Sequence, residues 1–235
     1  MSYQWKVAAK ASGTKAIINQ LLINRGFKTP KAIKDFFHPS LPQKADFPLA
    51  KAVARIKQAV KLHELIYIYG DYDADGVTST VLLEDELNKI GVKTQVFIPS
   101  RDEGYGLSEK GIDYLISQKA GIIISVDLGI TAKKEVQYAK ENQVDVIVID
   151  HHLTQTELLP RCIIINPKQK GDKYPNKDLS AGALVYKFNC ALQQQFPRFI
   201  SKNDLKWWLD LAAISIITDM CPLTGENRVL VHFGL

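Results

Sequence analysis

The sequence has 235 residues, of which 46% are hydrophobic, so it is long and apolar enough to bury the core of one or two domains. Its formal net charge of +5 permits a polyanionic partner without requiring one. Three widely spaced cysteines, at positions 162, 190 and 221, give neither a disulfide framework nor a CxxC-type zinc site. The N-terminus lacks the apolar core of a signal peptide, and no apolar run reaches the roughly 18 residues of a membrane span, which predicts a cytoplasmic protein with no membrane partner.

Two regions are predicted along the chain, an N-terminal helical segment at 1–46 and an α/β domain at 47–235. In the first region, apolar residues recur at helical spacing in Thr14–Asn24, and Thr29-Pro30 begins a second helix that leads to Phe37. In the second, after a helix at 49–63, apolar strands alternate with helices, which predicts a parallel sheet flanked by helices. The predicted strands are 65–69, 93–98, 121–126, 144–149 and 162–166, and the predicted helices are 76–90, 108–119, 131–142, 180–195 and 203–217.

Three aspartates at alternate positions, Asp71, Asp73 and Asp75, follow the first strand. Carboxylates this close repel one another, and each loses free energy when it leaves water, so the cluster indicates a multivalent cation. An EF-hand loop does not fit, because its twelfth position must be a bidentate Glu and is Leu82 here. A solvated turn, and a phosphatase that forms an aspartyl-phosphate on Asp71 or Asp73, remain open at this point.

Further acidic residues and histidines follow later apolar runs. Asp127 comes directly after the third strand, Asp150-His151-His152 after the fourth, and Asp219 after an apolar run near the C-terminus. Each aspartate alone has an ordinary explanation as a helix cap or turn residue. The carboxyl ends of parallel strands, however, lie at one edge of the sheet, where ligands bind. The combined pattern therefore predicts a metal site and disfavours the aspartyl-phosphate phosphatase, which would not explain the two histidines.

These motifs, in this order, resemble the four motifs of the DHH phosphoesterase superfamily: Gly70–Gly76, Asp127, Asp150-His151-His152 and Asp219. Two further stretches, 99–108 (PSRDEGYGLS) and 179–186 (LSAGALVY), are similar to the RecJ-like branch of single-strand-specific DNA exonucleases. The resemblance extends from residue 49 onward and implies that residues 47–235 form a DHH catalytic domain.

The resemblance also implies a centre for two divalent cations, Mn²⁺ or Mg²⁺, held by carboxylates and one imidazole. Tyr69 stands where pyrophosphatase-like relatives carry a metal-binding His, which leaves Asp71 to replace it. The implied ligands divide between the two ions: Asp127 bridges both, Asp71 and Asp73 bind one, and Asp75, His151 and Asp219 bind the other.

Five further residues are implied to contact the substrate or to position the residues that do so. His152 would contact the scissile phosphate and donate a proton, and Asp150 would orient the histidines. Arg101 would bind a phosphate through its forked guanidinium group. Gly104 and Gly106 would let the backbone approach a nucleic acid.

The function implied by the resemblance is hydrolysis of single-stranded DNA from an end, in the 5′ to 3′ direction, in DNA repair and recombination. A single-strand-binding protein or a helicase would be a partner. One alternative is a phosphodiesterase of short oligonucleotides or cyclic dinucleotides; another is a non-catalytic replication or repair scaffold, although such proteins typically lose metal ligands. The family has a substrate-binding domain after the catalytic one, and we expect this chain to be the catalytic half without it.

Overall fold

The computed structural model describes residues 4, 13–41, 48–104, 106–154, 159 and 162–235, with the side chain of Glu103 excepted. Two compact units are present, one within residues 1–41 and one within residues 42–235. The boundary predicted at residues 46 and 47 lies outside the described residues. Within those residues, no helix combines the length and the apolar character needed to cross a membrane.

The first unit contains two helices at the predicted positions, α1 (Thr14–Asn24) and α2 (Pro30–Phe37). Thr29 begins α2, because its hydroxyl accepts a hydrogen bond from the N–H of Ala32 at 3.1 Å. Pro30 follows at the first helical position, where its missing N–H has no cost.

The second unit is built on a five-stranded sheet in the order β2-β1-β3-β4-β5. All of its strand pairs are parallel, so the predicted parallel sheet flanked by helices is confirmed. The strands are β1 (Leu65–Gly70), β2 (Lys93–Phe97), β3 (Ile122–Val126), β4 (Asp145–Ile149) and β5 (Ile163–Ile165). The inner strands β1, β3 and β4 are buried along almost their whole length, which explains why their sequences are largely apolar.

Helices lie on both faces of this sheet. On one face, Tyr67 and Tyr69 of β1 share a core with residues of two helices, including Leu115 of Glu109–Ser117 (α5) and Val136 of Lys133–Glu141 (α6). The other face contacts the helices Ala74–Lys89 (α4) and Ala181–Gln195 (α7). The helices of this unit are α3 (Ala50–Leu62), α4 (Ala74–Lys89), α5 (Glu109–Ser117), α6 (Lys133–Glu141), α7 (Ala181–Gln195), α8 (Lys202–Trp207), α9 (Leu209–Thr218) and α10 (Gly225–Gly234), with a 3-10 turn at Arg101–Glu103.

Two features differ from the sequence-based expectation. The predicted helix 203–217 is divided at Trp208, which is buried and donates a hydrogen bond from its indole Nε1 to Asp85 Oδ2 of α4 at 2.7 Å. The helix α10 was not predicted. Asp219 is the C-cap of α9, at the end of the region predicted as the helix 203–217.

The register of the sheet places the strand-end residues together. Gly70 of β1 pairs with Val126 of β3, and Val126 pairs with Ile149 of β4. The residues that come next on these adjacent strands, Asp71, Asp127 and Asp150, consequently leave the sheet side by side. The chain passes from β1 to β2 on one side and to β3 on the other, and this reversal of strand order is where ligands bind in open parallel sheets.

Candidate metal centre

The first two aspartates of the triplet occupy the short connection between β1 and α4. Asp71 is buried, and its Oδ1 accepts a hydrogen bond from the N–H of Tyr72 at 2.7 Å. Asp73 is the N-cap of α4, and its Oδ1 accepts from the N–H of Gly76 at 2.9 Å. Asp75 lies in the first turn of α4 and is 2% exposed. The solvated-turn interpretation is therefore wrong for Asp71 and Asp75.

Asp127 lies at the centre of the candidate site. It follows β3 with a left-handed backbone (φ 65°), and its N–H extends the sheet by donating to the carbonyl of Ile149 at 2.9 Å. Its side chain is 2% exposed, and Oδ1 lies 3.1 Å from Nε2 of His151. This contact joins the end of β3 to the motif that follows β4.

His151 is buried and links the remaining carboxylates. Besides its contact with Asp127, Nε2 lies 3.7 Å from Oδ2 of Asp75, and Nδ1 lies 3.7 Å from Oδ2 of Asp219. Within the described part of the chain, Nε2 has no hydrogen-bond partner. The imidazole therefore faces acidic side chains from α4, β3 and the end of α9.

Three groups of potential ligand atoms result, each with its atoms within 4.8 Å of one another. Two of them match the division of ligands that the resemblance implies, and they are connected by the contact of Asp127 with His151. The third shows that a ring nitrogen of His152 also lies near Asp127 and His151. The groups are Asp71, Asp73 and Asp127; Asp75, His151 and Asp219; and Asp127, His151 and His152.

A divalent cation fits this set of side chains. Burial raises the pKa of Asp71, and burial together with the charges of Asp75 and Asp73 raises the pKa of Asp127 to about 10. No lysine or arginine among the described residues forms an ion pair with Asp71 or Asp75. A cation would supply the missing positive charge, and oxygen ligands with one imidazole suit Mn²⁺ and Mg²⁺.

One sulfur atom also lies close to the site. Sγ of Cys221 donates a hydrogen bond to Oδ2 of Asp219 at 3.1 Å. Burial, and then this hydrogen bond and the charge of Asp219, raise the pKa of Cys221. Among the described residues, this sulfur belongs to none of the three groups of potential ligand atoms, which consist of oxygen and nitrogen atoms.

His152 and Asp150 form a separate pair beside the potential ligands. Asp150 is buried; its Oδ1 accepts from the backbone N–H of His152 at 3.0 Å and lies 2.7 Å from the ring Nδ1 of that residue. Its Oδ2 accepts from the N–H of Ile130 at 2.9 Å. The hydrogen bond with Asp150 raises the pKa of His152. Asp150 thus orients His152, whereas none of these contacts involves His151.

The 99–108 stretch lies at the same edge of the sheet. The guanidinium carbon of Arg101 lies 5.3 Å from the ring centroid of Tyr72, which adjoins Asp71. Gly104 and Gly106 both have positive φ, 91° and 98°, and an added Cβ would meet no described atom within 4 Å. Their backbone conformation, and not crowding within the chain, therefore requires glycine. Tyr105, between them, lies outside the described residues.

Tyr69 does not contribute a ligand atom to any of the three groups. Its ring is buried, and its hydroxyl donates to the carbonyl of Gly106 at 3.3 Å. This side chain connects β1 to the 99–108 stretch. The expected substitution of a histidine ligand by Asp71 is consistent with the place of Asp71 among the potential ligands.

The hydrogen bonds that hold the side chain of Asp75 were not predicted from the sequence. Its carboxylate accepts hydrogen bonds from the N–H groups of Ala181 and Gly182 and from the hydroxyl of Ser215. The only available signal was the 179–186 stretch, which is similar to the RecJ-like branch and had no assigned role. Nothing in the sequence pairs that stretch with Ser215 or with Asp75.

Comparison with known proteins gives consistent results. The chain matches the DHH family, N-terminal domain, over residues 65–216. It is similar to the single-stranded-DNA-specific exonuclease RecJ of Bacillus subtilis (strain 168), with 40% identity over 227 residues, which cover 93% of this chain and 28% of that protein.

Two solved structures are similar as well. An exonuclease RecJ bound to manganese has a TM-score of 0.71 and 33% identity, over 83% of this chain and 48% of that one. RecJ from Thermus thermophilus in complex with Mn²⁺ has a TM-score of 0.75 and 28% identity, over 91% of this chain and 30% of that one. The chain spans less than half the length of each of these proteins.

The family match covers well over half of the sequence and contains the strands and helices that carry most of the candidate site. Asp71, Asp73, Asp75, Asp127 and His151 lie within it, and Asp219 lies three residues beyond its end. With its parallel sheet and its motifs in the family's order, the chain belongs to the DHH family.

Proposed function

We propose that this chain carries the two-metal hydrolytic centre of a single-stranded-DNA-specific exonuclease. One observation carries the proposal: two groups of potential ligand atoms, one containing Asp127 and the other containing His151, are joined by the 3.1 Å contact between these two residues. The similarity to RecJ of Bacillus subtilis, at 40% identity over most of this chain, supports DNA as the substrate.

The cations would be Mn²⁺ or Mg²⁺, and the RecJ structures named above contain manganese. When bound, the two ions would activate water and stabilise the leaving oxygen of a phosphodiester. The residues of this chain would hold them as one unit, because Asp127 would contribute a ligand to both ions. The proposed ligands are Asp71, Asp73 and Asp127 for one ion and Asp75, His151, Asp219 and Asp127 for the other.

His152 would contact the scissile phosphate and donate a proton to the leaving oxygen. Two features support this role: a ring nitrogen of His152 lies near Asp127 and His151, and the hydrogen bond with Asp150 raises its pKa. Asp150 would keep the ring in one orientation while Nδ1 is engaged.

Arg101 would bind a phosphate of the strand beside the metal centre. Its position over Tyr72 supports this role, because an aromatic ring holds a guanidinium group without consuming its N–H donors. Gly104 and Gly106, at positive φ, would shape the connection that follows Arg101 so that its backbone faces the nucleic acid.

The wider setting is part of the same proposal. Residues 47–235 would form the catalytic domain, and digestion would run from the 5′ end of single-stranded DNA during repair and recombination in the cytoplasm. A single-strand-binding protein or a helicase would supply the strand. The mildly basic charge of +5 and the RecJ relatives support a nucleic-acid substrate.

One experiment separates this function from its alternatives. The chain is incubated with Mn²⁺ and with single-stranded DNA labelled at the 5′ or the 3′ end, duplex DNA, or cyclic dinucleotides, and Asp127→Asn serves as the control. We expect mononucleotide release from the 5′ end of single strands alone. Hydrolysis restricted to cyclic dinucleotides would support the small-substrate phosphodiesterase, and Mn²⁺ binding without any hydrolysis would support the scaffold.

A further inference from the structure

The carboxylate of Asp75 is held by two elements that are distant in sequence. Its Oδ2 accepts a hydrogen bond from the N–H of Ala181 at 2.8 Å, and its Oδ1 accepts from the N–H of Gly182 at 2.9 Å, both in the first turn of α7. The hydroxyl of Ser215 on α9 donates to Oδ1 at 2.5 Å. We call these three donors the Asp75 cradle. They replace the water that a buried carboxylate loses, and the amino end of α7 favours its negative charge.

The cradle depends on close packing between α7 and α9. A Cβ added to Gly182 would lie 2.4 Å from Oγ of Ser215 and 2.6 Å from its Cβ, so only glycine permits this approach. Ser180, the N-cap of α7, shares a 2.5 Å hydrogen bond with the hydroxyl of Ser215. Ser215 is thus fixed on two sides, by Ser180 and by the N–H of Gly182 at 3.1 Å.

The two oxygens of Asp75 are used unequally. Oδ1 receives the bonds from Gly182 and Ser215, with a further 3.3 Å contact from the hydroxyl of Ser79. Oδ2 receives the single bond from Ala181 and lies 3.7 Å from Nε2 of His151. A carboxylate oxygen has two lone pairs, so Oδ2 retains one for a cation, whereas Oδ1 is saturated.

The helix that carries Ser215 also carries the other carboxylate of this group. Asp219 lies one turn after Ser215 at the end of α9, and its N–H donates to the carbonyl of Ser215 at 3.1 Å. This contact is made by the backbone of α9, so the packing of α9 against α7 places Asp219 opposite His151. The hydroxyl of Ser215, by contrast, acts on Asp75 and not on Asp219. The packing of these two helices thus determines the placement of two potential ligands.

We propose that Ser215 and Gly182 are positioning residues of the metal centre, which fix Asp75 so that Oδ2, and not Oδ1, binds the ion shared with His151 and Asp219. The inference rests on the proposed function for the identity of that ion, Mn²⁺ or Mg²⁺. It gives the 179–186 stretch a role, because backbone N–H groups at the amino end of α7 bind the carboxylate of Asp75 from the first motif.

The test is calorimetric titration of Mn²⁺ into the 235-residue chain without DNA, for the wild type, Ser215→Ala, Asp75→Asn and the double variant. We expect Ser215→Ala to weaken one of two Mn²⁺ sites by about 10- to 100-fold, the usual cost of removing a partner that orients a ligand, and to leave the other unchanged. In the Asp75→Asn background, Ser215→Ala should cause no further loss. Gly182→Ala, which displaces Ser215, should reproduce the effect.

Ser125→Ala is the matched control, because Ser125 is equally buried and its hydroxyl has no hydrogen-bond partner among the described residues. An unchanged Mn²⁺ affinity in Ser215→Ala and Gly182→Ala, equal weakening in Ser125→Ala, or a Ser215→Ala effect that persists without the Asp75 carboxylate would overturn the inference. A wild type that binds no Mn²⁺ would overturn the proposed function too. The expected Mn²⁺ pattern in a chain that never cleaves DNA would overturn the proposed function alone.

Discussion

Asp127 combines an unusual backbone with a carboxylate that belongs to two of the three groups of potential ligand atoms. Its φ of 65° lies in the left-handed region, which Asp and Asn tolerate better than most residues. Asp127→Asn therefore removes a charge without adding backbone strain. If loss of a carboxylate from one ion costs about 10- to 100-fold, loss of one shared by two ions should cost on the order of 100- to 10,000-fold.

We accordingly expect Asp127→Asn to lose far more activity than Asp71→Asn, which belongs to one group only. The measurement is the initial rate of hydrolysis of labelled single-stranded DNA for both variants over a range of Mn²⁺ concentrations. Greater residual activity in Asp127→Asn than in Asp71→Asn would show that the bridge is assigned to the wrong residue.

Arg101 should contribute to substrate binding and not to metal binding. Loss of one phosphate contact reduces the dependence of log affinity on log salt concentration by about one unit, so Arg101→Ala should show this smaller slope with unchanged Mn²⁺ affinity. Binding of a fluorescent single strand at several salt concentrations measures the slope. Arg198→Ala is the control, because Arg198 follows the carboxyl end of α7, whereas the amino end of that helix contacts Asp75. Equal slopes for wild type and Arg101→Ala would exclude the proposed contact.

At the scale of elements, the inner strands β1, β3 and β4 were predictable because each is a short buried run rich in β-branched or aromatic residues. The break between α8 and α9 was not, since it depends on a tertiary contact: Trp208 is hydrogen-bonded to Asp85 and lies under the ammonium group of Lys89 at 4.5 Å. The position of α10 depends likewise on distant partners, because Glu226 accepts hydrogen bonds from Tyr174 and Lys187, both at 2.6 Å.

The candidate ligands were predictable because each follows an apolar run and carries a distinctive side chain. The Asp75 cradle was not, because its donors lie 106, 107 and 140 residues away from Asp75. Two of those donors are backbone N–H groups, which nearly every residue type has, so the sequence does not identify them. A serine inside an apolar helix, such as Ser215, is also ordinary until its partner is known.

The helix α4 contains a buried acid that should make stability depend on pH. Glu86 is fully buried, and neither of its carboxyl oxygens has a hydrogen-bond partner among the described residues. Burial, against a smaller opposing effect of the Lys89 charge and with small contributions from the charges of Asp204 and Asp85, raises its pKa to about 9. At pH values between the ordinary pKa of a glutamate and about 9, Glu86 is deprotonated in the unfolded chain and protonated in the folded chain. Each rise of one pH unit in this range therefore lowers the free energy of unfolding by about 1.4 kcal/mol.

Glu86→Gln should remove this contribution. The free energy of unfolding of the variant, minus that of wild type, should increase by about 2 to 3 kcal/mol from about pH 6 to about pH 8. Urea denaturation of both proteins at the two pH values measures this difference. Glu86→Leu should show the same gain with pH, because it also lacks the titrating group. A difference between variant and wild type that stays constant with pH would contradict the assignment.

At the scale of the whole molecule, the topology of the sheet determines the site. The order β2-β1-β3-β4-β5 and the matched register bring Asp71, Asp127 and Asp150 to one edge, and α4 and α9 add Asp75 and Asp219. Each aspartate is placed by a different element, so the site exists only when the fold is complete. This arrangement explains how motifs spread over about 150 residues of sequence come together at one candidate site.

The most direct measurement of the proposed two-metal centre is anomalous X-ray scattering from crystals of this chain grown with Mn²⁺. We expect two peaks about 3.5–4 Å apart, both in contact with Asp127. One should also contact Asp71 and Asp73, and the other should contact His151, Asp219 and Oδ2 of Asp75. A single peak, or two peaks that do not share Asp127, would contradict the two-metal centre.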